Sequence, residues 1–236
     1  MLMTLREKEK NTCFYKTAPC ANAKNDFYAD EIEEKGIDGI SFCIHKSDES
    51  FFVNIKTPGR HMVLNALSAA AVGDCFGLDS QQIKKGIENF EPTKMRMDII
   101  KTDKYTIIND VYNANPVSMK AAIDVLSESP LRKACILGDM FELGDFAPKL
   151  HFEVGEYAYQ KKINVIICIG EISENIYKGA LKQAGFHNAG AENIFYFKTQ
   201  EEFFDEIGNI LRNNDIILVK ASRGMKFEKT VEKIKR

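Results

Sequence analysis

The spacing of apolar and polar positions gives the first part of the chain a different pattern from the rest. Two apolar runs at residues 40–45 and 51–55 flank the polar stretch K-S-D-E-S, which predicts an antiparallel hairpin. After the turn at residues 57–59, apolar residues recur at helical spacing over residues 63–71. A second helix is expected to begin at Asp79 or Ser80.

The pattern changes beyond a linker at residues 91–94, because short apolar strands there alternate with helices. We expect strands at 106–109, 134–137, 164–169, 194–197 and 216–219, and helices from Pro116, near His151, from Glu171, from Gln200 and near Met225. Such alternation is typical of a mostly parallel sheet with helices on both faces. The sequence therefore predicts an α/β fold, in which a hairpin with helices (residues 1–92) precedes a Rossmann-like domain (residues 93–236).

Composition and charge restrict the classes of function. With 236 residues, of which 44% are hydrophobic, the chain is long enough for two compact units. A formal net charge of −2 gives no electrostatic reason to expect nucleic acid or a membrane surface as a partner.

Cysteine usage and the polar N-terminal stretch predict a cytoplasmic protein. The six cysteines form no C-x-x-C pair, and Cys135 and Cys168 fall in apolar runs typical of buried strands, so reduced, structural thiols are expected. The first residues are too polar for a signal peptide, and no run reaches the roughly 18 apolar residues of a membrane span.

Several common catalytic motifs are missing from the sequence. There is no P-loop string and no pair of glycines in G-x-G spacing, so neither of the usual nucleotide fingerprints is present. H-E-x-x-H, G-x-S-x-G and Cys/His metal spacings are also missing, which argues against metalloproteases and serine hydrolases.

The string I-N-D-V-Y-N-A-N-P at residues 108–116 joins an expected strand to an expected helix. Asn115 can cap that helix, and Pro116 suits its first position. Ligands of open α/β sheets bind at the carboxyl ends of the strands, where Asp110 can accept hydrogen bonds from a ribose and Asn113 can donate or accept them. A well-capped turn without a ligand explains the same string.

Two further expected strands end in polar residues. Lys220, Ser222 and Arg223 follow the strand I-I-L-V and can hold a carboxylate, although a basic turn on the surface has the same pattern. Asp139 and Glu142 follow the strand at 134–137 and can bind an ammonium group or a metal, or they can be a turn cap and a solvated carboxylate.

Four other polar residues are open to a functional or a structural interpretation. His151 lies near a helix start, where a histidine is more often structural than catalytic. His61 and Asn65 lie one turn apart on the expected first helix and can contact a flat base, or they can serve capping and packing. Arg96, just past the linker, can reach a phosphate or stack on a base, or remain a surface residue.

Together these strings resemble the Mur ligase family of ATP-dependent ligases. The matching strings are G-R-H-M-V-L-N-A-L-S-A-A-A-V at 59–72, M-R-M-D at 95–98, N-D-V-Y-N-A-N-P at 109–116, L-G-D-M-F-E-L-G at 137–144 and L-V-K-A-S-R-G-M at 218–225. Y-N-A-N-P and G-D-M-x-E-L-G are typical of the members that join D-alanyl-D-alanine to UDP-N-acetylmuramoyl-tripeptide in peptidoglycan synthesis. The resemblance runs from about Phe27 to the C-terminus, which implies the end of the central ATPase domain followed by the whole C-terminal domain.

The resemblance implies ATP and magnesium as cofactors, and it implies roles for individual residues. His61 and Asn65 are expected at the adenine, Asp110 at the ribose, and Arg96 at the nucleotide once the domains close. Lys220, Ser222 and Arg223 are expected to face the incoming dipeptide. The residues expected only to line the same cleft are Asn113, Asn115, Asp139, Glu142 and His151.

Two departures from the family pattern affect these expectations. Met62 stands where the family commonly has an asparagine, which removes one potential adenine contact. Asn109 stands where the family often has an acid, but Asp110 is retained.

Because the family's UDP-sugar domain, P-loop, carbamylated lysine and magnesium ligands have no counterpart in the sequence, the chain alone is expected to be inactive. No residue is assigned a catalytic or metal-binding role. One alternative is a non-catalytic nucleotide- or dipeptide-binding module derived from such a ligase. Another is a related amide ligase such as a folylpolyglutamate ligase, whose residues at the Y-N-A-N-P position differ.

Overall fold

The chain divides into two compact units, residues 1–91 and residues 92–236. A computed structural model describes residues 27–46, 49–187 and 190–236, with residues 13–15 and 187 in their backbone only. The polar N-terminal stretch lies outside the described residues. No helix of the described part is long and apolar enough to cross a membrane.

The first unit is built on a four-stranded antiparallel sheet in the order β1-β2-β3-β4. The strands are β1 (Cys13–Tyr15), β2 (Phe27–Glu34), β3 (Ile40–Lys46) and β4 (Glu49–Ile55), and the helices are α1 (His61–Cys75) and α2 (Ser80–Glu88). β3 and β4 form the predicted hairpin. Alternate residues of the strands, such as Phe42 and Val53, share one core with apolar residues of the helices, such as Leu67.

The second unit is built on a six-stranded sheet in the order β5-β6-β10-β7-β8-β9. Its strands are β5 (Asp98–Lys101), β6 (Thr106–Asp110), β7 (Lys133–Gly138), β8 (Val165–Ile169), β9 (Ile194–Phe197) and β10 (Ile216–Lys220). Only the edge strand β5 runs antiparallel to its neighbour. The predicted mostly parallel α/β fold is therefore confirmed.

Five helices cover the two faces of this sheet. They are α3 (Pro116–Ser127), α4 (Ala147–Gln160), α5 (Glu174–His187), α6 (Gln200–Ile210) and α7 (Glu228–Ile234). Ile107 and Ile217 share a core with Phe203 of α6 and Val231 of α7. α3 contacts β7 and β10, and α5 contacts β8 and β9. Since both faces are covered, β8 is apolar along its whole length, and the polar residues of β6, β7 and β10 stand at the strand ends.

Two helix starts differ from the sequence prediction. α5 begins at Glu174 rather than at Glu171, because Ser173 uses its backbone and side-chain donors on Asp139. The last helix begins at Glu228, after a short 3-10 turn at Arg223–Met225. Neither β2 nor β5 was predicted, and in β2 acidic residues interrupt the apolar pattern.

The strand order brings three strand ends together at one edge of the second sheet. β10 lies between β6 and β7, and its last residue, Lys220, is in register with Asp110 on one side and Leu137 on the other. Polar segments that are far apart in sequence therefore meet at the carboxyl edge, where open α/β sheets bind ligands.

Candidate active site

An ion pair between neighbouring strand ends organises this carboxyl edge. Nζ of Lys220 lies 2.5 Å from Oδ2 of Asp110 and donates to the backbone oxygen of Asn113 at 2.9 Å. The lysine side chain is 2% exposed and the aspartate side chain 12%. Because an unpaired charge at this depth is strongly destabilising, each residue holds the other in the site.

The segment before β5 contacts Asp110 on its second oxygen. N of Met97 donates to Oδ1 of Asp110 at 3.2 Å. Met95 and Met97 have φ values of 69° and 49°, in the left-handed region that residues other than glycine rarely adopt. Such conformations concentrate at functional sites, where the surrounding structure holds them in place.

Arg96 lies between these two methionines and stacks on Tyr112. Its guanidinium carbon is 4.1 Å from the centroid of the tyrosine ring, and both side chains are exposed. N of Tyr112 donates to O of Met95 at 3.1 Å, which joins the two segments. A stacked guanidinium presents a flat, positively charged surface, which suits a phosphate group or a base.

The two asparagines of the Y-N-A-N-P string use their side-chain oxygens locally. Oδ1 of Asn115 accepts from N of Ser118 at 2.8 Å and so caps α3, as the sequence indicated. Oδ1 of Asn113 accepts from N of Ala114 at 2.8 Å. Both side chains are exposed at the same edge. The capping interpretation is therefore correct for Asn115, and it leaves both side-chain amide nitrogens as potential donors to a ligand.

Ser222 joins the loops that follow β6, β7 and β10. Its Oγ accepts from N of Phe141 at 2.9 Å and lies 3.4 Å from O of Ala114. Its backbone N donates to O of Asp139 at 3.0 Å. Because the residue is only 3% exposed, these contacts fix the shape of the edge from inside.

Asp139 is anchored by two residues that the sequence analysis did not select. Its Oδ1 accepts from N and Oγ of Ser173 at 2.7 and 2.6 Å. A Cβ atom at Gly170 would lie 2.4 Å from the same oxygen, so only glycine fits there. Ser173 immediately precedes α5, a position that is typical of a capping serine. This position is the sequence feature from which Ser173 could have been selected.

His151 is fully buried and neutral. Its Nδ1 lies 2.7 Å from O of Ala147, and its Nε2 lies 2.8 Å from N of Met140. Since a carbonyl only accepts and an amide only donates, Nδ1 carries the proton. Burial lowers the pKa of His151 below its ordinary value of 6.5, in agreement with this assignment.

Arg223 and Glu142 are exposed at the same edge. Nη1 of Arg223 lies 3.3 Å from Sδ of Met95 and 3.4 Å from Oε2 of Glu228. Its contact with Met95 places it close to the segment that carries Arg96. Two exposed guanidinium groups beside one sheet edge can hold a carboxylate or a phosphate by charge-assisted hydrogen bonds.

His61 and Asn65 belong to the first unit, while the other ten selected residues belong to the second. Both are exposed and lie one turn apart on α1, as the sequence predicted. Met62, which replaces the family's common asparagine, is 7% exposed and lies within the core of the first unit. Nδ2 of Asn65 lies 3.6 Å from its sulfur.

A family model described as "Mur ligase, glutamate ligase domain" matches residues 95–223 of this chain. Similar curated relatives include the UDP-N-acetylmuramoyl-tripeptide–D-alanyl-D-alanine ligase of Bacillus subtilis, which is 35% identical over 211 residues. That match covers 88% of this chain and 44% of the relative. The enzyme of the same name from Escherichia coli is 35% identical over 155 residues, or 65% of this chain and 34% of the relative.

Solved structures of Mur ligases have a fold similar to that of this chain. A crystal structure of MurF from Acinetobacter baumannii matches with a TM-score of 0.78 and 28% identity, over 88% of this chain and 44% of that one. MurF ligase from Thermotoga maritima in complex with ADP matches with a TM-score of 0.71 over 97% of this chain and 47% of that one, at 17% identity. The chain thus spans less than half the length of these relatives.

Proposed function

This chain belongs to the Mur ligase family, and from that premise we propose that it supplies part of an ATP-dependent ligase that joins D-alanyl-D-alanine to UDP-N-acetylmuramoyl-tripeptide. The Bacillus subtilis relative, which carries this activity in its name, matches 88% of the chain. The observation that carries the proposal is the carboxyl edge of the second sheet, where the buried Asp110–Lys220 pair fixes a loop between two exposed arginines.

We assign the carboxylate of the dipeptide to Arg223. The group is exposed at the sheet edge, and a guanidinium binds a carboxylate through two parallel hydrogen bonds. Lys220 acts indirectly in this proposal, because its buried ammonium group is already bonded to Asp110 and to O of Asn113. Ser222 and Asp139 likewise hold the loops around the dipeptide.

We assign the phosphates of the nucleotide to Arg96 and its ribose to Asp110, both in the second unit. Each oxygen of Asp110 takes one protein hydrogen bond, and a carboxylate has about four acceptor positions, so it can also accept from a ribose hydroxyl. ATP would supply the phosphoryl group that activates the tripeptide carboxylate as an acyl phosphate. The amine of the dipeptide would then attack the carbonyl carbon of the acyl phosphate. The amide C–N bond would form as the C–O bond to phosphate breaks, and the amine would lose its proton to water.

Among the described residues, no three His, Cys, Asp or Glu side chains converge at this edge. We therefore assign no magnesium ligands here and derive no step through a metal ion. Within the proposal, the location is the cytoplasm, which suits the reduced, buried thiols of Cys43, Cys135 and Cys168.

Calorimetric titration of the chain with D-alanyl-D-alanine tests the dipeptide assignment. We expect binding of D-alanyl-D-alanine in preference to L-alanyl-L-alanine, and at least about tenfold weaker binding by Arg223→Ala, which corresponds to the loss of about 1.4 kcal/mol. Arg212→Ala is the matched control, since this exposed arginine precedes β10 at the opposite edge. Equal affinity of the Arg223→Ala variant and the unaltered chain would remove Arg223 from the site.

A further inference from the structure

One face of the sheet in the first unit carries three side chains with metal-binding atoms. Asp30 on β2 is directly opposite Cys43 on β3, and His45 follows two residues later on the same strand. Residues at these positions point to the same face of a sheet. Their neighbours Phe42 and Ile44 point to the other face, into the apolar core.

The three side chains converge on one point. A ring nitrogen of His45, the sulfur of Cys43 and a carboxylate oxygen of Asp30 all lie within 4.8 Å of one another. Nε2 of His45 is 2.6 Å from Oδ1 of Asp30. We refer to these residues as the Asp30–Cys43–His45 cluster.

The surrounding residues hold this cluster in place. The ring of Tyr28 stacks on the ring of His45, with 4.3 Å between centroids and 5° between planes, which sets the orientation of the imidazole. The register of β2 and β3 shifts between Asp30 and Glu33, directly after the cluster residue of β2. Cys43 is 4% exposed, so its sulfur is shielded while the other two groups remain accessible.

We propose that the Asp30–Cys43–His45 cluster binds one divalent transition-metal ion of the zinc class. Thiolate, imidazole and carboxylate are the three ligand types that zinc accepts, and the thiolate disfavours magnesium and calcium. Three protein ligands leave a fourth tetrahedral position for water or another ligand. The site is independent of the ligase proposal, since it uses none of the residues assigned there.

Ligand distances are compatible with such an ion after small side-chain rotations. With bonds of about 2.0–2.3 Å, the ligand atoms of a tetrahedral zinc site lie roughly 3.3–3.8 Å apart. The contact between Nε2 of His45 and Oδ1 of Asp30 would lengthen from 2.6 Å into that range.

The carboxylate of Asp30 also favours a cation in the cluster, because it is one of the three converging groups. A metal ion that binds there displaces the proton of the Cys43 thiol, and that proton passes to the buffer.

Metal titration of the complete chain tests the proposal. After removal of metal with a chelator, we expect equilibrium dialysis to show one tightly bound Zn²⁺ per chain. Co²⁺ in its place should give the near-ultraviolet absorption of a thiolate–cobalt bond. Since loss of a residue that only supports a ligand already costs 10–100-fold, Cys43→Ser and His45→Gln should each weaken zinc binding at least about tenfold.

Cys75→Ser provides the matched control, because this exposed thiol on α1 lies outside the cluster. It should bind zinc like the unaltered chain. The absence of bound zinc, or zinc affinity that is the same in His45→Gln and the unaltered chain, would overturn the proposal. His45→Gln decides the matter if the buried Cys43→Ser substitution prevents folding, since the side chain of His45 is 23% exposed and far-ultraviolet circular dichroism can verify its fold.

Discussion

Among the described residues, the ammonium group of Lys220 is one of the few buried charges. It ends a strand whose five residues are all buried, and Asp110 ends the neighbouring strand in the same register. A buried ion pair contributes little net stability compared with apolar residues of the same size, but breaking it leaves a charge without a partner. We therefore interpret the pair as the element that fixes the loop at Asn113.

Replacing Lys220 with methionine tests this interpretation. Lys220→Met keeps most of the side-chain volume and leaves the carboxylate of Asp110 unpaired. We expect the free energy of unfolding to fall by about 3 kcal/mol or more. Urea denaturation followed by circular dichroism measures the change.

The double variant Asp110→Asn/Lys220→Met is the control for this measurement. It removes both charges, so it should recover a large part of the lost stability and give a coupling energy of about 1 kcal/mol or more. Strictly additive losses would mean that the two residues do not interact in solution.

His151 makes the stability of the folded protein depend on pH. Its folded-state pKa lies below the ordinary value of 6.5, because burial disfavours the imidazolium. The unfolded chain therefore binds more protons than the folded chain as the pH falls below 6.5. The contribution of His151 to the free energy of unfolding is fully present above that pH. Below it, this contribution declines by at most about 1.4 kcal/mol per pH unit.

His151→Gln separates this effect from other titrations. The glutamine oxygen can accept from N of Met140 but takes no proton, so the variant should lose less stability between pH 7 and pH 5.5 than the unaltered chain. Urea midpoints at the two pH values measure the difference. If both proteins had the same pH slope, the folded-state pKa of His151 would not be lowered.

At the scale of elements, glycines set the distance between α4 and α5. A Cβ atom at Gly155 would lie 1.9 Å from O of Ile176, and one at Gly179 would lie 2.1 Å from O of Phe152. The two helices therefore approach to backbone contact at this crossing. An alanine at either position can be accommodated only if the helices separate.

Gly155→Ala is accordingly expected to reduce the free energy of unfolding by about 2 kcal/mol or more. Gly185→Ala is the matched control on α5, because a Cβ atom there meets no atom within 4 Å. Alanine is a better helix former than glycine, so the control should gain up to about 1 kcal/mol. Thermal denaturation of both variants measures these changes, and a neutral Gly155→Ala would mean that the crossing is looser than described.

Local sequence signals predicted some elements well and others poorly. The start of α3 was predictable because Asn115 and Pro116 are themselves the capping residues. β2 was not, because acidic residues on its exposed side hide its apolar alternation. The start of α5 was misplaced because Ser173 is held by Asp139, and no local pattern records a contact between residues 34 positions apart.

At the scale of the whole molecule, topology brings the site together. The sequence predicted that Asp110, Asp139 and Lys220 follow strands. It did not predict that β10 lies between β6 and β7, which makes Lys220 a direct neighbour of Asp110. The ligands expected at this edge came from the resemblance to the Mur ligase family. The partners of Asp139 and His151 follow only from the folded structure, since they depend on contacts between separate elements.

The most direct test of the ligase proposal is a hybrid enzyme. The matching part of the Bacillus subtilis relative, 44% of its length, would be replaced by this chain, and phosphate release would be measured with ATP and UDP-N-acetylmuramoyl-tripeptide. We predict release that depends on D-alanyl-D-alanine, is not supported by D-glutamate, and falls at least about tenfold with Arg223→Ala. A folded hybrid that released phosphate only with another amine, or released none, would contradict the proposed function.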